Sequence, residues 1–267
     1  MSIEKDESML VHHIPGTELV SKYPFLLVSS KHCENVKREN KINKYSILGM
    51  LKNKKTLSKN RVLKIKKYID KLIVVFPFEV SWFKKYGLDV KFFGHPLIDQ
   101  FRTVEKFDKH KQPNTVALFP GSRHQEIKKH LPLLNLVAKK LKKERPSLRF
   151  IMNISPSHSI EEVQSQLVSD IRVVQKNSSD VFMSCSAAVV TSGTATLECA
   201  ITETPFIVIY KASLLSWLIA KFLLSVPFIC IVNLLANKEI VPELVQGDAS
   251  VLNICLLYTS PIPRDRG

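Results

Sequence analysis

From Lys71 onward the chain alternates short apolar runs with stretches whose apolar residues recur at helical spacing. Lys71–Phe76, Val90–Phe93, Thr115–Phe119, Arg149–Ile154, Ala187–Thr191 and Pro205–Tyr210 are short runs rich in Val, Ile and Phe, which predicts buried strands. Between them, Val80–Tyr86, Gln125–Glu144, Ser159–Val168 and Thr194–Ile201 predict helices. In the longest, Ile127, Leu131, Leu134, Ala138 and Leu141 fall on one stripe of a 3.6-residue period. Regular strand–helix alternation predicts an α/β fold of doubly wound, Rossmann-like parallel sheets, with ligands at the carboxyl ends of the strands.

The amino-terminal part is less patterned. Within Met1–Asn60 only Tyr23–Ser30 reads as a strand, and Arg61–Asp70 follows as a basic helix. The polar, proline-containing stretch before Thr115 reads as a linker. The expected organisation is a poorly matched region over 1–60, the end of an N-terminal Rossmann-like domain over 61–100, a linker over 101–114 and a C-terminal domain over 115–250. Residues 251–267 read as a non-native tail, such as a translated vector remnant.

Two of the predicted strand ends carry chemistry. LFPGSRHQEI (Leu118–Ile127) and VVTSGTATLE (Val189–Glu198) each pass from a strand through small residues into a helix. Helix amino termini present unpaired N–H groups and the positive end of a dipole, which suits phosphate. In the first turn Gly121 permits close backbone approach, Ser122 offers a hydroxyl and Arg123 a planar cation. In the second, Ser192, Gly193 and Thr194 open a donor-rich helix start, and Glu198 is placed to accept ribose hydroxyls. The pair predicts a nucleotide-diphosphate site.

Arg123 has a second reading as a surface helix cap, and Glu198 as a solvated helix charge. Glu126 stands where a capping-box glutamate belongs. Glu243, beside Pro242, fits a helix amino terminus. His124 and His130 are expected at solvated helix positions. His95, in Gly-His-Pro, is a possible ligand contact or a histidine tied to the backbone.

Charge adds a partner class. The formal net charge is +15, and Lys37–Lys71 alone holds 13 Lys and Arg against Glu39 and Asp70. Such a block favours anionic partners, with a solvated lysine-rich face as the alternative. No RRM signature or zinc-finger spacing occurs, so nucleic acid is not expected as a partner. The five cysteines are scattered without CxxC, and the histidines lack paired-ligand spacing. They read as reduced, mostly buried thiols, with no metal site.

The ordered motifs FPFE (Phe76–Glu79), FFGHPLID (Phe92–Asp99), LFPGSRHQEI, SGTATLE, TPFIVIYK (Thr204–Lys211) and NLLANKEIVPELVQ (Asn233–Gln246) resemble the lipid-A-disaccharide synthase family. The resemblance runs from about Lys59 to Asp248. It implies a two-domain GT-B glycosyltransferase of lipid A biosynthesis. The implied reaction moves 2,3-diacylglucosamine from its UDP donor, with inversion, onto the 6-hydroxyl of 2,3-diacylglucosamine 1-phosphate (lipid X). The products are the β(1→6) disaccharide and UDP, and no cofactor or metal is implied. The resemblance also assigns Asn233 and Gln246 to sugar or diphosphate orientation. It implies a peripheral enzyme on the cytoplasmic face of the inner membrane of a Gram-negative-type bacterium, with a homodimer as a further expectation.

Ala212–Ala236 is long and apolar, but Lys221 and Pro227 argue against a membrane span. A helix over Leu214–Leu224 is expected instead, either an ordinary core helix or one partly exposed, with Trp217, Leu218, Lys221 and Phe222 placed to meet acyl chains or an anionic membrane surface. The family opens with a GEPSGD-like motif and carries its general base in that N-terminal region. Nothing in Met1–Asn60 matches it, so no catalytic base is assigned. The competing readings are a UDP-binding fragment without catalysis, a related GT-B enzyme acting on non-acylated UDP-GlcNAc, and a basic nucleic-acid-binding module.

Overall fold

The computed structural model describes residues 45–48, 62, 65–66, 71–102, 111–167, 170–213 and 227–259. The basic block, the Tyr23–Ser30 strand and the acyl-contact residues Trp217, Leu218, Lys221 and Phe222 lie wholly or largely outside them. The chain divides into two compact units.

The first unit carries a three-stranded parallel sheet in the order β1 (Tyr45–Leu48), β2 (Lys71–Val74), β3 (Val90–Phe92). Helix α1 (Pro77–Lys84) joins β2 to β3, and α2 (Pro96–Arg102) follows β3. Proline at the start of each helix is tolerated because the first-turn N–H has no intrahelical partner. Leu72, Val74, Trp82, Phe83, Leu88 and Val90 form this unit's core.

The second unit begins at β4 (Gln112–Phe119) and continues through α3 (His124–Glu144), β5 (Arg149–Asn153), α4 (Ile160–Ser165) and β6 (Ile171–Val174). Then follow α5 (Ser178–Ser184), β7 (Cys185–Thr191), α6 (Ala195–Ile201), β8 (Phe206–Tyr210), α7 (Ile231–Ala236), β9 (Glu243–Val245) and α8 (Val251–Thr259). All strand pairs are parallel, in the order β6-β5-β4-β7-β8-β9. Counted from β4, that is the 3-2-1-4-5-6 order of a Rossmann sheet, with its switch point between β4 and β7. Both units therefore have the expected α/β parallel architecture.

The central strands are buried on both faces. Val116, Ala117, Leu118, Ala188, Val189 and Val190 are at most 1% exposed, as continuous apolar runs in parallel sheets require. The expected stripe of α3, Ile127, Leu131, Leu134, Ala138 and Leu141, packs on Leu118, Phe150 and Met152. Several short elements lacked clear periodicity in the sequence: β6, α5, α7 and β9.

Val251–Thr259, at the start of the stretch expected as a non-native tail, is a helix. Ile254, Cys255 and Tyr258 are buried in the main core, because a helix after β9 covers apolar surface that α3 leaves open. No helix among the described residues is long and apolar enough to cross a membrane.

Candidate functional site

A cleft of about 280 Å³ opens at the carboxyl ends of β4 and β7, at the switch point of the sheet. Gly121, Ser122 and Glu126 form one wall, and Ser192, Gly193, Thr194 and Glu198 form the other. Asn153, the last residue of β5, with Ser155 and Lys176 from the loops after β5 and β6, closes a third side. The two turns singled out in the sequence thus meet in one concavity.

The first turn is built around Glu126. Its Oε2 accepts from the N–H groups of Ser122 (3.2 Å) and Arg123 (3.3 Å). Its Oε1 lies 3.2 Å from Arg123 Nη1. This is the expected capping role, with a negative charge at the positive end of α3. It also means that the N–H groups expected to meet phosphate are already hydrogen-bonded to a carboxylate. Arg123 itself has a side chain 76% exposed and is turned along the helix start, so its guanidinium stands beside the cleft rather than inside it.

In the second turn the Ser192 hydroxyl donates to Ile229 O at 2.8 Å, which ties the turn to the segment before α7. Thr194 is the N-cap residue of α6 and is exposed, with its hydroxyl making no cap bond. Glu198, one turn on, is partly buried against the cleft. Burial raises its carboxyl above the usual range, and a hydrogen bond with Ser178 opposes that shift. A freely solvated helix charge would not behave this way.

Asn153 and Lys176 went unnoticed in the sequence. The Asn153 side chain clamps the Lys176 backbone, donating to its carbonyl at 3.1 Å and accepting from its N–H at 3.0 Å. The polar residue ending an apolar strand was the available signal.

Asn233 does not reach the cleft. It is fully buried: Nδ2 donates to Val241 O and Glu243 Oε1, and Oδ1 accepts from the N–H groups of Ile240 and Val241. Every polar position of that amide is occupied internally, so Asn233 staples the chain between α7 and β9 instead of orienting a sugar. Glu243 lies on β9 and not at a helix start. It nevertheless closes the amino terminus of α7, accepting from the N–H groups of Ile229 (2.8 Å) and Cys230 (3.1 Å). Gln246, with φ +55°, accepts from Ala212 N–H through Oε1 and also lies outside the cleft lining.

His95 belongs to the first unit and caps α2. Its Nδ1 accepts from Leu97 N–H at 3.2 Å, and burial lowers its pKa. Phe76 packs against its ring. His130 overturns its expectation most sharply: it is fully buried, not solvated, and bonds to three strand ends. Cys185, Cys199, Cys230 and Cys255 are free and buried.

A profile described as Lipid-A-disaccharide synthetase matches residues 56–256. The chain belongs to that family. Among its relatives, lipid-A-disaccharide synthase 1 of Legionella pneumophila (strain Lens) is 35% identical over 206 residues, which cover 73% of this chain and 53% of the relative. The lipid-A-disaccharide synthase of Geobacter sulfurreducens is 37% identical over 200 residues, covering 71% of this chain and 52% of the relative. The chain spans about half the length of the curated relatives it matches. The pneumococcal O-GlcNAc transferase GtfA, solved with UDP and GlcNAc, aligns with a TM-score of 0.39 and 13% identity over 58% of this chain and 32% of that one. That likeness is too distant to bear on the site.

Proposed function

We propose that the cleft holds the UDP moiety of UDP-2,3-diacylglucosamine, and that the chain supplies the donor side of an inverting lipid A glycosyltransferase. The acceptor in this reading is 2,3-diacylglucosamine 1-phosphate, and the product a β(1→6) disaccharide. The observation that carries the reading is the convergence of Gly121–Ser122 and Ser192–Thr194 on one cleft at the switch point of a family member's Rossmann sheet.

The chemical task is to stabilise the UDP leaving group as an oxocarbenium-like centre develops. Fixed dipoles and cations aimed at the diphosphate do this without reorganising during the reaction. The starts of α3 and α6 supply the dipoles, and the Ser122 and Thr194 hydroxyls supply donors. Arg123 reaches over the rim from its exposed position to meet the phosphates. Glu198 accepts the ribose hydroxyls, and Lys176 adds a cation on the third side. The basic block and Trp217, Leu218, Lys221 and Phe222 act in this reading at an anionic inner-membrane surface.

Calorimetric titration of the chain with UDP tests the binding step, and UDP release from the acylated donor in the presence of acceptor tests turnover. A folded chain that ignores UDP would sink the proposal. Binding without turnover would favour a second reading, a UDP-binding portion without catalysis.

A further inference from the structure

We propose that His130 is a positioning residue that holds the two turns of the cleft in register, by bridging the ends of β4, β7 and β8 with one neutral imidazole. The inference rests on the cleft's being a nucleotide site.

His130 lies on the inner face of α3 and is 0% exposed. Its Nε2 is 2.8 Å from the backbone nitrogen of Lys211, the residue that leaves β8. A backbone N–H can only donate, so Nε2 carries no proton and the tautomer is set. Nδ1 therefore bears the proton and donates to Pro120 O at 2.9 Å. Pro120 is the residue immediately before Gly121. The third tie is Thr191, immediately before Ser192. Its hydroxyl donates to Phe119 O at 2.9 Å and stands 3.4 Å from Nδ1. One ring thus connects the residue opening the first turn, the residue opening the second and the neighbouring strand end. Phe119 and Thr191 line the cleft, whereas His130, Pro120 and Lys211 lie outside its lining. Their effect on binding runs through the separation and orientation of the two walls, and site geometry tolerates little slack.

The bridge works in one protonation state. A second proton would sit on Nε2, opposed to the Lys211 N–H. Among the described residues, the charged or titratable groups around the ring are Glu126 on the same helix, and Lys211 and Tyr210 at the end of β8. Burial is the largest influence and lowers the His130 pKa. The hydrogen bond to Pro120 and the Glu126 charge oppose that shift, and the Lys211 charge reinforces it. For a base with a depressed native pKa the unfolded chain binds the proton more readily. The bridge's contribution to stability is therefore full above the unfolded value of about 6.5 and is lost as pH falls towards the lowered native value, and the folded ring takes its second proton only below about 6.5.

The test uses the whole chain and UDP-N-acetylglucosamine, whose diphosphate diester keeps a constant charge across the range. Affinity is measured from about pH 8 to about pH 5, where circular dichroism reports each protein folded. Wild type is expected to lose affinity several-fold on acidification. His130→Leu, which removes all three ties at similar volume, binds at least about tenfold more weakly at pH 8. His130→Gln, which keeps an amide donor and acceptor but does not titrate, binds between the two and lacks part of the acid loss. Glu198 titrates equally in wild type and in His130→Gln, so the difference between their profiles reads His130 alone. Superimposable profiles for those two proteins overturn the proposal, as does wild-type affinity in a folded His130→Leu. Should His130→Leu not fold, the comparison of wild type with His130→Gln decides. A wild type that binds no nucleotide at any pH instead overturns the reading of the cleft, and the proposal falls with it.

Discussion

Glu126 Oε2 occupies the space that a side chain on Gly121 would need: a Cβ built there falls 2.6 Å from that oxygen. Gly121 also has φ +110°, a conformation that L-residues rarely adopt. Backbone strain and close approach therefore coincide at the head of α3. Gly121→Ala is expected to cost roughly 1–3 kcal/mol, read as a lowered midpoint in thermal or urea unfolding. An unchanged midpoint would show that the turn accommodates a side chain and that Glu126 is not held where it is seen.

The same carboxylate stands where a phosphate would be welcomed, which gives Glu126 two opposed effects. It satisfies two N–H groups at the start of α3, and its charge repels an incoming anion. Glu126→Gln keeps an acceptor but removes the charge. We expect a stability loss of about 0.5–1 kcal/mol and UDP binding tightened several-fold. A drop in UDP affinity of tenfold or more would mean that Glu126 serves the ligand by aiming Arg123, and is not chiefly a cap.

Glu198 is expected to trade stability against binding. An acid whose native pKa is raised is ionised at a cost in the folded state. That cost is absent at low pH and appears as pH rises through the native pKa. Glu198→Gln removes it, so the variant should melt higher than wild type at pH 7 and equal to it at about pH 4. If Glu198 also accepts the ribose hydroxyls, UDP affinity falls about ten- to a hundredfold, as loss of a charged hydrogen-bond acceptor would give. Wild-type UDP affinity in the variant would remove Glu198 from the site.

Asn233 separates structural need from ligand contact. Asn233→Ala strips four hydrogen bonds from a fully buried position and leaves the Ile240 and Val241 N–H groups unpaired. A loss of about 3 kcal/mol is expected, with the remaining folded protein binding UDP as wild type does. A selective loss of UDP affinity in a fully folded variant would return Asn233 to the site.

Much of this was legible along the chain because it is local. Strand–helix alternation, the apolar stripe of α3 and the glycine turn depend on residues within a few positions of one another. Glu126 as a cap was readable for the same reason, since its partners lie three and four residues away. Glu243 was half readable: its chemistry suited a helix start, but the helix it closes lies thirteen residues upstream.

By itself, then, the sequence determined the α/β class, the two small-residue turns and the family membership they help carry. The tertiary structure decided that these turns face each other across one switch point, 3-2-1-4-5-6, because strand order is not written in local periodicity. It turned His130 from a surface residue into a bridge between chain positions 120 and 211, and Asn233 from a ligand candidate into a staple. It also folded Val251–Thr259 onto the core. The physical reason is common to all three. Whether a polar side chain meets water, ligand or backbone, and whether an apolar one finds a partner, depends on which distant segments the sheet brings within hydrogen-bonding or packing reach.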